Sequence, residues 1–162
     1  MTDLDLGTCQ GMVLSDAYPF DPATGFERLD GVMWVDNAFG DGDSFHALHE
    51  GDRYIFRLYH VDAPESDLNY PDRVEDQCEY FGLERSEILD LAGEATASTQ
   101  RLLGRPFTVF TKWEDARGNS SLPRNYAFVL LEDGKMLSEH LVSDGLVRVY
   151  GMVSDAPDGT GK

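Results

Sequence analysis

The chain has 162 residues, of which 41% are hydrophobic and 11% aromatic, and these values suit one globular domain with a hydrophobic core. No apolar run approaches the roughly 18 residues of a membrane span, and the first thirty residues lack the basic start and apolar middle of a secretory signal, so we expect a soluble protein without a membrane partner. Thirty acidic against thirteen basic residues give a formal net charge of -17, which argues against general attraction to nucleic-acid backbones. Residues 101–148 nevertheless hold seven basic and six acidic side chains, so a neutral or basic face can exist on an acidic protein.

The first half of the chain predicts an extension followed by three strands. Residues 1–30 mix glycine, proline, aspartate and isolated aromatics without periodicity, which indicates an N-terminal extension packed loosely on the domain. The segments GVMWVDNAF and SFHALHEGDRYIFRLYHV follow, and a hairpin signal at residues 50–52 divides the second of them into two strands. Strands joined in this way predict an antiparallel meander.

From residue 73 the apolar residues recur at helical spacing, which predicts one helix, or two divided at Gly93, with a stop at Gly104. Strands are predicted at 105–113 and 125–131, then a turn, a short helix at 137–145 and a last strand at 146–151. This order predicts an α+β, mainly β fold, namely a five-stranded barrel of the oligonucleotide/oligosaccharide-binding (OB) type with two to three helices. The predicted domain spans residues 31–152, between the extension and a tail at 153–162.

Two acidic turns flank the predicted second and third strands. GDGDSF precedes the second strand and VDAPE closes the third, so a meander would bring Asp43 and Asp62 to one end of the barrel. Carboxylate oxygens are hard ligands that suit Ca²⁺ or Mg²⁺ better than zinc. The alternative is a pair of ordinary solvated turns, in which Asp and Gly are the commonest residues.

Arg57 lies inside the apolar third strand, where a guanidinium needs an anionic partner or an exposed face. It therefore either binds a ligand or forms a salt bridge on a polar side of the barrel. Strict alternation places Arg57 and Asp62 on opposite faces, so the turn before Pro64 must redirect Asp62 if both residues serve one site.

Other polar residues have two interpretations each. Cys9 and Cys78 form either one disulfide or two buried thiols. Three basic residues either edge a substrate groove or are solvated charges, and we favour the second interpretation; they are Lys112, Arg117 and Arg148. Zinc binding by histidines of the second and third strands is less favoured than solvent exposure; these are His46, His49 and His60.

Four segments stand in a distinctive order: GDGDSFHAL, FRLYHVDAPE, GEATASTQRLL and PRNYAFVLLEDGKMLSEHLVSDGLVRV. In order and spacing they resemble the staphylococcal nuclease (thermonuclease) family. The resemblance covers about residues 32–149, with an insertion within 66–91. It implies an OB-fold barrel that hydrolyses phosphodiester bonds of DNA and RNA with Ca²⁺.

The resemblance also implies a metal site. Asp43 and Asp62 match the family's calcium carboxylates, and Ala63 matches a residue that gives its backbone carbonyl to the metal. The family usually has threonine at the position of Ala63, but a carbonyl ligand tolerates this change.

The remaining implied residues act on substrate and water. Glu65 matches the carboxylate that orients or deprotonates the attacking water, and Arg57 and Arg124 match two phosphate-binding arginines. The family's C-terminal tyrosines are missing or differently arranged, so Tyr150 is either a substitute platform for base stacking or a core or edge aromatic.

These residues predict a calcium-dependent nuclease that cleaves DNA, RNA or both by metal-assisted attack of water. A monomer is expected, and secretion or a periplasmic location is favoured by the resemblance alone. One alternative is a catalytically weak or inactive module that binds nucleic acid or protein, and another is a structural calcium-binding barrel. The enzyme is favoured because the chain has all five charged residues of the family's site, namely Asp43, Arg57, Asp62, Glu65 and Arg124.

Overall fold

The computed structural model describes residues 14–36, 40–118 and 120–161. The strands are β1 Glu27–Val35, β2 Ser44–His49, β3 Asp52–Leu58, β4 Val61–Asp62, β5 Phe107–Asp115, β6 Arg124–Leu130 and β7 Arg148–Val149. The helices are α1 Pro71–Phe81, α2 Arg85–Leu102 and α3 Leu137–Ser143, and two short 3₁₀ turns, Leu14–Ala17 and Pro22–Thr24, precede β1. The fold is therefore α+β and mainly β, with a five-stranded sheet and three helices, which confirms the predicted class and element order.

The five long strands pair in an order that returns to the first strand. β1, β2 and β3 form the predicted antiparallel meander. β6 pairs in parallel with β3 and antiparallel with β5, and β5 pairs with β1. The short strands β4 and β7 form a separate antiparallel pair, which places the C-terminal segment beside the acidic turn after β3.

Apolar side chains from the sheet fill its interior and leave charged residues at the strand ends. Phe45 packs against Phe56 and Phe107, with ring centroids 6.1 and 5.8 Å apart. Leu137 and Leu141 of α3 are completely buried in the same cluster. The burial of these groups provides the main favourable free energy of folding. Charged side chains lie instead at the ends of β2 and β3.

The packed part of the chain extends beyond the predicted residues 31–152. β1 begins at Glu27, and Gly31 lies inside this strand at φ 66°, where the pairing with β5 shifts register. Tyr18 and Phe20 pack on Phe110 with ring centroids 5.2 and 5.1 Å away. The prediction of a loosely packed extension to residue 30 is therefore wrong for these residues, because their aromatic rings cover the sheet.

The helical region divides at Gly82, not at Gly93. Gly82 has φ 66°, a left-handed conformation that glycine adopts without strain, and its N–H donates to Cys78 O at the end of α1. Glu84 and Glu87 form a capping box at the start of α2. Gly93 lies within α2, so the alternative of a division there was wrong.

Two further expectations concern cysteine and the membrane. The disulfide prediction involves Cys9, which lies outside the described residues, whereas Cys78 is a half-buried residue of α1. Within the described ranges, no helix combines the length and the apolar character needed to cross a bilayer.

Candidate functional site

The ends of β2 and β3 bring the charged turns together at one cavity. Ser44 pairs with Arg57 across these strands, and Leu58 N donates to Asp43 O at 2.9 Å. A cavity of about 350 Å³ opens at this edge. Its lining residues are Asp41, Asp43, Arg57, Ala63, Glu65, Tyr70, Arg73, Gly118 and Arg124. Five of the seven predicted site residues therefore line one cavity. Of the other two, Asp62 is buried just beneath them and Tyr150 does not line the cavity.

The strand alternation breaks at His60, which is how Arg57 and Asp62 meet. His60 has φ 68°, a left-handed conformation that is uncommon for a residue other than glycine. Its backbone is fixed by the C-terminal segment, since His60 N donates to Met152 O and Tyr150 N donates to His60 O, both at 2.9 Å. Arg57 Nη2 lies 3.4 Å from Asp62 Oδ1 as a result. The sequence placed this change of direction just before Pro64, and the structure places it earlier.

Asp43 is buried in an electrostatically unfavourable position. Only 4% of its surface is exposed, it accepts a hydrogen bond from Ala63 N at 2.6 Å, and it pairs with Arg57 Nη1 at 2.9 Å. Burial and the neighbouring Asp41 carboxylate raise the pKa of Asp43 well above its ordinary value, although Arg57 opposes this change. A cation shared by these two carboxylates would remove the repulsion.

Asp62 is saturated by donors from the protein. It is 1% exposed. Its Oδ1 accepts from Arg73 Nη2 at 2.9 Å and from Arg57 Nη2 at 3.4 Å, and its Oδ2 accepts from Arg148 Nε at 2.9 Å and from Gln77 Nε2 at 3.1 Å. Hydrogen bonds and ion pairs from the chain thus satisfy the buried charge.

Helix α1 contributes two of these donors and also fixes Glu65. Arg73 Nε lies 2.6 Å from Glu65 Oε1. Gln77 is completely buried; its Oε1 accepts from Glu65 N at 2.8 Å, and its Nε2 donates to Ala63 O at 3.0 Å. Burial raises the pKa of Glu65, Arg73 lowers it, and the carboxylates of Asp62 and Asp43 raise it further, with a net upward shift.

Sequence analysis missed Arg73 and Gln77 as site residues. The available signal was their spacing of four positions, which places both side chains on one face of a helix. Arg73 is also one of two basic residues among eleven acidic ones in residues 62–94.

Arg148 was interpreted as a solvated charge, and this was wrong. The residue is 7% exposed, because it bonds Asp62 and its guanidinium lies 4.2 Å from the ring centroid of Tyr150 and 5.9 Å from that of Tyr80. Tyr150 itself is 56% exposed. It is not among the residues that line the cavity, so its proposed stacking role stays a prediction.

Arg124 reaches the cavity from β6 without an ion pair in the described part of the chain. Its Nε donates to Arg117 O at 2.8 Å and its Nη2 to Ala116 O at 3.1 Å, while Nη1 lies 3.5 Å from Ser44 Oγ. The two carbonyls hold the guanidinium in place but do not neutralise its charge. Arg124 is thus positioned to attract an anion.

The cavity offers oxygen donors of the kind that suit a hard cation, but their present arrangement does not hold one. Among the described residues, no three or more His, Cys, Asp or Glu side chains are arranged to hold a metal ion. The carboxylates of Asp43 and Asp41 and the carbonyl of Ala63 are oxygen donors of the type that calcium prefers. The obstacle is Arg73, whose guanidinium occupies Asp62 and Glu65.

The chain was also compared with known proteins. It matches no protein-family model, and no curated protein sequence matches it. The function is therefore inferred from the chemistry of the site. Around one cavity it combines the buried carboxylate of Asp43, the partly buried carboxylates of Asp41 and Glu65, and the Arg124 guanidinium, which has no ion pair among the described residues.

Proposed function

We propose that this protein is a calcium-dependent phosphodiesterase of the staphylococcal nuclease type, built on an OB-fold barrel, that hydrolyses DNA, RNA or both. The observation that carries the proposal is the convergence of Arg57, Arg124, Glu65 and Asp43 on one cavity. A phosphodiester is anionic and repels hydroxide, so a site for its hydrolysis needs both positive groups and a positioned base. This cavity contains both.

The two arginines bind and orient the phosphate. Arg124 has no carboxylate partner in the described ranges, and its guanidinium is anchored by two carbonyls, so it is ready to donate to phosphoryl oxygens. Arg57 spans Asp43 and Asp62 at the cavity, and its forked guanidinium would be available to the phosphate if a bound cation neutralised these carboxylates. Forked hydrogen bonds of this kind strengthen as charge develops on the equatorial oxygens.

Glu65 accepts the proton of the attacking water. The raised pKa of this carboxyl brings it closer to neutral pH, where a general base is more effective. A calcium ion held by Asp43, Asp62 and the Ala63 carbonyl would, when bound, polarise a phosphoryl oxygen. Loss of the base is expected to lower the rate by about 10²- to 10⁴-fold.

The test is hydrolysis of single-stranded DNA with calcium and with a chelator. We expect hydrolysis by the wild type in calcium only, and large losses in Glu65→Gln, Arg57→Ala and Arg124→Ala. Arg85→Ala is the matched control, because Arg85 is an exposed residue paired with Glu75 on the protein surface, and it should retain full activity. Hydrolysis that persists in chelator, or in both Glu65→Gln and Arg57→Ala, would exclude this mechanism.

A binding module without catalysis is the second candidate, and one observation favours it. Asp62 and Glu65 are both engaged by Arg73, as in a purely structural ion-pair network. Fluorescence anisotropy with labelled single-stranded DNA separates the candidates. Binding by the wild type with calcium, without any product on a gel, would support the module.

A further inference from the structure

Arg73 binds carboxylate oxygens of Asp62 and Glu65 that a cation at this site would need. Its Nη2 lies 2.9 Å from Asp62 Oδ1 and its Nε 2.6 Å from Glu65 Oε1. One guanidinium thus bridges the implied metal ligand and the implied base. Asp62 is 1% exposed and Glu65 17% exposed, whereas the Arg73 side chain is 50% exposed, so water reaches this bridge from the arginine side.

A divalent cation and the Arg73 guanidinium cannot both bind Asp62 Oδ1 at close range. Calcium takes six to eight oxygen ligands at about 2.3–2.6 Å, whereas Asp62 Oδ1 already accepts from Arg73. A guanidinium held at that oxygen would also repel a divalent ion at close range. Binding of calcium to Asp62 therefore requires the Arg73 side chain to move.

The structure permits this movement. The Arg73 side chain is 50% exposed, so it has solvent to enter. Gln77, one turn further along α1, holds Asp62 through Oδ2 and not through Oδ1, and Arg148 also bonds Oδ2. Asp62 thus stays fixed through Oδ2, while Oδ1 keeps only its longer contact with Arg57 Nη2, at 3.4 Å.

We propose that Arg73 is an internal counter-ion of the calcium site, which a divalent cation displaces from Asp62 and Glu65 when it binds. The inference rests on the proposed function, since the cation is the calcium of that site. Displacement also breaks the Arg73–Glu65 ion pair, which releases the general base only when the metal is present. Arg73 is thus a positioning residue that couples the base to metal occupancy.

Calcium affinity is the first measurement. Isothermal titration calorimetry compares the wild type with Arg73→Gln and with Arg85→Gln. The control removes the same charge from the start of the adjacent helix, where Arg85 is 61% exposed and pairs with Glu75 at 3.2 Å. We expect Arg73→Gln to bind calcium about tenfold more tightly or better, because it removes the competing charge at close range, and the control to change affinity less than about twofold because of screening.

A nuclear magnetic resonance titration of the wild type is the second measurement. The Arg73 Nε–H signal, assigned by its loss in Arg73→Gln or Arg73→Lys, should shift when calcium saturates the protein, because its bond to Glu65 breaks. This readout needs neither activity nor a folded Arg73→Gln variant.

The outcomes separate the two proposals. Calcium binding by the wild type with no shift of the Arg73 signal, or with unchanged affinity in a folded Arg73→Gln, overturns the counter-ion role and leaves the proposed nuclease standing. Binding by Arg73→Gln but not by the wild type overturns the displacement, because Arg73 then blocks the site, and it also contradicts a calcium-dependent activity of the wild type. Absence of binding in every variant overturns both the counter-ion role and the calcium site.

Discussion

Asp43 shows at the scale of one residue how a buried carboxylate lowers stability. Burial and the Asp41 carboxylate raise its pKa, so the folded protein retains a proton that the unfolded chain releases. Stability therefore falls as pH rises from the ordinary aspartate pKa towards the raised value, and it stays low above that. We expect Asp43→Asn to raise the melting temperature in chelator near pH 7.5, by roughly 2–4 °C if about 1 kcal/mol is recovered.

The pH dependence makes this prediction specific. The gain from Asp43→Asn should shrink as thermal denaturation is repeated towards about pH 4, near the ordinary aspartate value. Asp90→Asn, an exposed substitution on α2, is the control and should show no such trend. Calcium should stabilise the wild type but not Asp43→Asn. A gain in melting temperature that is the same at every pH, or a loss near neutral pH, would show that the Asp43 charge does not destabilise the folded protein.

Gln77 is a second residue whose surroundings give a quantitative expectation. Its buried amide donates to Asp62 Oδ2 and Ala63 O and accepts a hydrogen bond from Glu65 N. Gln77→Leu keeps a comparable volume but removes the Gln77 partner of Ala63 O and Glu65 N and one of the four donors to Asp62. A buried polar group left without a partner costs about 1–3 kcal/mol unless relaxation or water compensates. We expect a loss of about 2–4 kcal/mol in urea denaturation. Gln100→Leu, at an exposed position, should stay within about 0.5 kcal/mol, and a similarly small effect for Gln77→Leu would show that water replaces the amide.

The site residues were predictable only where a motif carried them. Arg57 and Glu65 belong to one quoted segment, and the structure places both at the cavity. Arg73 and Gln77 lie in the insertion, and their role depends on how α1 packs on the turn after β4, which no local pattern specifies. The left-handed His60 is equally invisible in the sequence, because positive φ is rare for histidine and is imposed here by contacts with residues 150 and 152.

At the scale of elements, α2 holds the acidic loop through a close approach at Gly42. A Cβ on Gly42 would lie 2.7 Å from Ala95 Cβ and 3.2 Å from Ala63 Cβ, and Thr99 Oγ1 donates to Gly42 O at 2.7 Å. Gly42→Ala must therefore push the loop that carries Asp43 away from the helix. We expect it to destabilise the protein by about 1–3 kcal/mol, measured by urea denaturation.

A matched glycine and a double mutant test this explanation. Gly93 lies inside α2 with open space around its Cβ position, so Gly93→Ala should stabilise the protein by about 0.5–1 kcal/mol. Ala95→Gly should recover part of the loss caused by Gly42→Ala, although the new glycine itself weakens the helix. Purely additive effects would show that the contact between positions 42 and 95 is not the cause.

The meander followed from local signals, but the helix boundary and the parallel pair did not. The hairpin signal at residues 50–52 placed β2 and β3 as expected, whereas the division between α1 and α2 at Gly82 was not predicted. The pairing of Ile55 with Arg124 joins β3 to β6 in parallel, and this pairing brings Arg124 to the cavity of Arg57. Parallel strands need a long crossover, so their partners depend on the packing of the whole chain and not on neighbouring residues.

At the scale of the whole molecule, the charge of -17 opposes the binding of a polyanion. Ser121 and Leu122 also stand where the resemblance would place a lysine and a tyrosine against a terminal phosphate. Under the proposed function, attraction to nucleic acid then comes mainly from Arg57 and Arg124. Each phosphate that a protein neutralises on single-stranded DNA contributes about 0.7 to the slope of log K against log salt, so two contacts predict a slope of about -1.4.

Binding is measured by fluorescence anisotropy of labelled single-stranded DNA, with calcium fixed and Glu65→Gln as the background so that no product forms. Arg124→Ala in that background should bring the slope to about -0.7, because one phosphate contact is lost, while Arg85→Ala should leave it unchanged. Added salt also weakens the repulsion between the acidic protein surface and DNA, so we expect the observed slopes to be shallower than these two values. A slope steeper than about -3 would require a broad basic face, and the two cavity arginines would then not be the principal phosphate contacts.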